Sequence, residues 1–176
     1  MSAVVRGWLG FCALGAGLIH LALVIGSQPA VGVPLLAIGA AEFAWGVFAF
    51  TAPALPLPQI ARAGALVPLL GWVIVLVVTG GSGAIEGLRV LPMLVASLLD
   101  LAIAIGITGM LRRDPARPAV PLRPGRYVLA LGAGALVVTA LTMPALAATE
   151  AGFAAIPHDP GDEPFELILP GLHGSH

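Results

Sequence analysis

The chain has 176 residues, 59% of them hydrophobic and only 10% charged, with a formal net charge of -1. An ordinary soluble domain is roughly 45–50% apolar and about 25% charged, so a water-soluble fold of this make-up could not cover its surface with polar groups. The weak net charge, with arginines in short loops rather than along a stripe, also excludes the electrostatic footprint of a nucleic-acid-binding protein.

Five apolar segments follow one another along the chain. The first, Gly7 to Gly26, follows Arg6. It is longer than the apolar region of a signal peptide, and Ser27-Gln28-Pro29-Ala30 lacks a small-x-small cleavage site, so it reads as a retained helix. The second runs from Val33 to Thr51, the third from Ala63 to Thr79, the fourth from Val90 to Leu111 and the fifth from Tyr127 to Ala148. Each is close to the roughly 20 residues that a membrane-crossing helix needs. None shows the alternation of a barrel strand, and in hydrocarbon a helix satisfies its own backbone. The separators, Ser27-Gln28-Pro29, Pro53 to Pro58, Gly80-Gly81-Ser82-Gly83 and Asp114 to Gly125, are rich in helix breakers.

The expected fold is therefore all-α: residues 1–148 form an integral bundle of about five transmembrane helices, and residues 149–176 form an acidic, His-containing tail. All basic residues apart from His are Arg. Arg6, Arg62, Arg112, Arg113, Arg117, Arg123 and Arg126 fall on one side of a five-span chain, and only Arg89 on the other. By the positive-inside rule the N-terminus is cytoplasmic and the tail extracytoplasmic. The lipid bilayer is then the first partner of the chain, with other membrane subunits a second class.

Three ionisable groups fall inside spans: His20, Glu42 and Asp100. A carboxylate in mid-bilayer costs several kcal/mol unless it is neutral, paired or hydrated, so such residues mark candidate sites. Two roles fit them: a proton or metal site, or structural acids that tie helices together. Ser97, Thr139 and Thr142 are candidate neighbours. In the tail, His158, His173 and His176, with Asp159 and Glu163, form a candidate collector for copper or zinc. Met93 and Met143, near the outer ends of their spans, would add soft ligands.

Enzyme signatures are missing. With no Lys there is no Walker-type phosphate loop, and Gly-x-Ser-x-Gly, His-Glu-x-x-His and Cys-x-x-Cys are absent, so a non-enzymatic protein is expected. Cys12, the single cysteine, permits no internal disulfide. Bis-His haem would need two intramembrane histidines, and the spans hold only His20.

Gly17-Leu18-Ile19-His20-Leu21, Ala41-Glu42-Phe43-Ala44-Trp45 and the exit Pro144-Ala145-Leu146-Ala147-Ala148-Thr149-Glu150-Ala151-Gly152 carry a resemblance. Together they resemble a loose family of small, uncharacterised multi-span membrane proteins of GC-rich bacteria, in which denser His clusters often follow that exit. The resemblance implies a multi-pass protein of a bacterial cytoplasmic membrane with a His-bearing outer tail. It implies no particular activity. Two functional expectations follow: handling of a transition metal, or service as an accessory or assembly subunit of a larger membrane complex.

Overall fold

A computed structural model describes residues 3–52, 54–78, 90–112 and 123–155. Among the described residues there are six helices and no strand: α1 (Ala3–Leu23), α2 (Pro29–Thr51), α3 (Pro58–Val78), α4 (Val90–Leu111), α5 (Pro124–Ala147) and α6 (Glu150–Ala154). Four of them, α1, α2, α4 and α5, are long and apolar enough to cross a membrane, whereas α3 contributes a shorter apolar stretch, Pro58–Ile74.

The helix starts have a shared cause. Pro29, Pro58 and Pro124 each occupy the first position of a helix, where the missing N–H is one no helix would use and the fixed φ is already helical. Three helices accordingly begin three to five residues before the apolar runs do. Pro34 lies inside α2, because α2 begins at Pro29. The first helix ends earlier than its apolar run: Val24, Ile25 and Gly26 form a turn, and Gly26 has φ +81°, a conformation glycine adopts without steric cost. At the far end of the bundle Thr149 caps α6 by accepting a hydrogen bond from the Gly152 N–H at 3.1 Å. Residues 150–154 thus form a helical turn packed on α5 and α1, where the sequence suggested the tail would already have left the bundle.

Helix α1 is the hub. It packs against α2, α4 and α5, while α3 leans on α4 and barely touches α2. Gly17 meets Gly39 and Gly10 meets Gly46, so α1 and α2 are antiparallel. Leu9 lies beside Gly106 and Leu99 beside Gly15, which makes α4 antiparallel to α1. Leu131 approaches Gly7 and Thr142 approaches Gly15, which makes α5 parallel to α1. Arg62 and Leu66 share a groove with Thr108 and Arg112, so α3 runs against α4. The five long helices therefore alternate in direction, and Arg6, Arg62, Arg112, Arg123 and Arg126 all lie at one end of the bundle.

The outside of the bundle is as apolar as its inside. Val128, Leu129 and Leu136 on α5, Ile60 and Val77 on α3 and Phe48 on α2 are all well exposed. Water would oppose such a surface, and hydrocarbon solvates it.

Candidate functional site

The site begins with glycine. A Cβ on Gly17 would stand 2.8 Å from the Gly39 carbonyl oxygen and 2.8 Å from the Phe43 nitrogen, and one on Gly39 would stand 2.9 Å from the Gly17 carbonyl oxygen. Seven residues along, a Cβ on Gly46 would meet the Gly10 carbonyl oxygen at 3.0 Å. The backbones of α1 and α2 touch there because neither helix presents a side chain between them.

That approach brings His20 to Glu42. Their Nδ1 and Oε2 atoms lie 2.7 Å apart, with the His20 side chain 1% exposed and that of Glu42 11% exposed. Asp100, fully buried, enters from α4 on the hub helix's other contact face. One ligand-capable atom from each of the three side chains lies within 4.8 Å of the other two. Glu42 Oε1 and both carboxyl oxygens of Asp100 have no hydrogen-bond partner among the described residues.

Charge balance limits what this cluster can hold. It contains two carboxyl groups and one imidazole, and the described arginines all sit at the bundle's end. A buried acid without a basic partner needs a proton or a bound cation to be tolerated. The donor set of one imidazole nitrogen and two carboxylate oxygens suits zinc, at about 2.0–2.2 Å per bond, with a fourth position open. Tetrahedral ligands at that distance stand roughly 3.4 Å apart, so closing around an ion needs side-chain movement of about 1 Å. An ion held there would be bound by His20, Glu42 and Asp100 and would supply the positive charge that the two carboxyl groups otherwise lack. Soft Cu(I) finds a poorer set, since no sulfur belongs to the cluster.

The remaining candidates divide. Thr142 is buried, its hydroxyl close to Gly15 and without a hydrogen-bond partner among the described residues, whereas Thr139 is exposed. Ser97 is half-buried. Met93 is packed in the core and Met143 is 62% exposed, so the two are split between an inner and an outer surface and do not form a soft pair. His158, Asp159, Glu163, His173 and His176 lie outside the described residues.

Glu42 also borders a cavity of about 360 Å³ between α2 and α3. The rest of its wall is apolar apart from Trp45, whose indole N–H already donates to the Pro56 carbonyl at 2.8 Å. The two helices barely touch, and Glu42 is the member of the cluster that lies in the wall of the space between them. No family model, curated protein or solved structure matches the chain.

Proposed function

We propose that this is a non-enzymatic, multi-pass protein of a bacterial cytoplasmic membrane that holds a transition-metal ion, zinc in preference to copper, at His20, Glu42 and Asp100. The observation that carries this reading is the meeting of three ligand-capable side chains from three helices within 4.8 Å, with three of the four carboxyl oxygens unpartnered among the described residues. In this reading the tail, with His158, His173 and His176 beside Asp159 and Glu163, collects the ion outside the membrane.

The orientation follows from the arginine-rich end, which the positive-inside rule puts in the cytoplasm with the N-terminus. Five crossings then place the tail outside, and the alternating helix directions support counting α3 as a crossing. Reporter fusions at Ala119 and after His176 are expected to lie on opposite sides of the membrane. Both on one side would remove the tail from the collecting role.

Metal loading of the full-length protein in mild detergent separates the two parts of the site. The expected result is one tightly held zinc per chain plus weaker uptake, of roughly micromolar affinity, because a tail without a preformed cage must be ordered on binding. Replacing His158, His173 and His176 by Ala should remove only the weaker class. Loss of all zinc from that triple variant would put the binding in the tail and leave the bundle cluster structural.

One observation favours a second reading, an accessory subunit of a larger complex. Helices α2 and α5 leave most of their apolar residues exposed on the outside of the bundle, whereas about half of α1 and of α4 is buried. Those outer faces are available to lipid or to another membrane subunit. Stoichiometric co-purification of a membrane partner, with no zinc retained, would favour this reading over the first.

A further inference from the structure

A second built feature lies at the arginine-rich end, away from the His20 cluster. We propose that the groove between α3 and α4 is a binding site for an anionic phospholipid, with Arg62 and Arg112 holding the phosphate and the helix faces below them holding an acyl chain. The groove has a volume of about 580 Å³, and its lining includes Arg62, Leu66, Ile105, Thr108, Gly109 and Arg112, with no acidic side chain among the described residues.

Each part of that wall suits one part of the ligand. Arg62 and Arg112 come from neighbouring ends of two antiparallel helices, so two guanidiniums face one groove where the apolar surface meets the polar boundary. A guanidinium presents a planar fork of N–H donors that matches phosphate oxygens. Arg62 is half-buried, as expected when its aliphatic stem lies along apolar neighbours and only its head reaches the boundary. Thr108 donates its hydroxyl proton to the Ala104 carbonyl at 2.7 Å, so it offers the phosphate no donor and the two guanidiniums carry the headgroup contact. Toward the interior of the bilayer the wall turns apolar, with Leu66 on α3 and the well-exposed Ile105 on α4.

Gly109 supplies the space. A Cβ built on it meets nothing within 4 Å, so this stretch of α4 is open where a side chain would otherwise fill the groove. Cationic pockets between membrane helices at the cytoplasmic boundary are suited to anionic headgroups, each basic side chain contributing roughly fivefold in affinity. The source of the phosphate is a lipid of the surrounding bilayer rather than a free anion, because most of the cavity wall is apolar.

The test uses the full chain in mild detergent, with phosphatidylglycerol as probe, phosphatidylcholine as the zwitterionic control and inorganic phosphate as the headgroup alone. Lipid retention is read by native mass spectrometry. The wild type should retain phosphatidylglycerol in preference to phosphatidylcholine. Arg62→Gln and Arg112→Gln should each reduce that preference roughly fivefold, and the double variant about twenty-five-fold. Gly109→Leu keeps both arginines, fills the groove and favours the helix, so it should fold normally and still lose the retained lipid. Circular dichroism of every variant verifies that the helices persist. An unchanged preference in the folded double arginine variant would overturn the proposal. So would retention by Gly109→Leu equal to wild type, or displacement of the lipid by inorganic phosphate at equal concentration.

Discussion

Replacing Gly17 by leucine is expected to destabilise the bundle by about 3 kcal/mol, the upper end of what overpacking costs in a tight core. The reason is the nature of the obstacle. The new Cβ would lie 2.8 Å from a backbone oxygen and a backbone nitrogen of α2, and backbone atoms have no rotamer into which to retreat. The helices must separate, and His20 must then lose its 2.7 Å contact with Glu42. Gly132→Leu on α5 is the control, since a Cβ there meets nothing within 4 Å. It should change stability by no more than about 0.5 kcal/mol, or raise it slightly through helix propensity. Thermal unfolding in detergent distinguishes the two substitutions. Equal effects at Gly17 and Gly132 would show that the α1–α2 seam does not set the distance between the site residues.

The second large effect is at Glu42. Leucine there fills similar volume but strands the imidazole of His20, which is 1% exposed and cannot turn to water. Orphaning a buried polar group costs about 1–3 kcal/mol, although interhelical hydrogen bonds in membranes average nearer 0.6 kcal/mol. About 2 kcal/mol is therefore expected for Glu42→Leu. Glu42→Gln keeps a hydrogen-bonding group at the same reach and should cost less than about 1 kcal/mol. The double variant His20→Leu with Glu42→Leu should recover part of the loss, because it removes the stranded partner as well. If Glu42→Leu proves as stable as wild type, His20 is satisfied by some other group and the pair does not hold α1 to α2.

The four helices long and apolar enough to cross a membrane were legible in the sequence because their apolarity exceeds anything a soluble helix needs, and Val90 to Leu111 coincides with α4. The starts at Pro29, Pro58 and Pro124 were less legible, because a hydropathy run does not include a proline placed before it. His20, Glu42 and Asp100 stood out as candidates because each is an isolated ionisable group in an apolar run. Their mutual approach was hidden, since it depends on which helices are neighbours. The signal that carries it is the seven-residue spacing of Gly10 and Gly17 on one helix and Gly39 and Gly46 on the next. Small residues four apart are a weaker guide to packing, since Ala13 and Gly17 are both buried but Ala102 is exposed although Gly106 packs on Leu9.

The most direct measurement is the zinc content per chain of wild type, Glu42→Gln and Asp100→Asn, each exposed to zinc and passed through gel filtration. Both substitutions keep shape and hydrogen bonding while removing an anionic ligand, so a stability loss alone cannot explain an effect. The expected result is one zinc per wild-type chain and about a tenth of that or less in either variant, in line with the sensitivity of metal sites to their ligands. Equal zinc in all three proteins, or none in the wild type, would contradict a metal site at His20, Glu42 and Asp100.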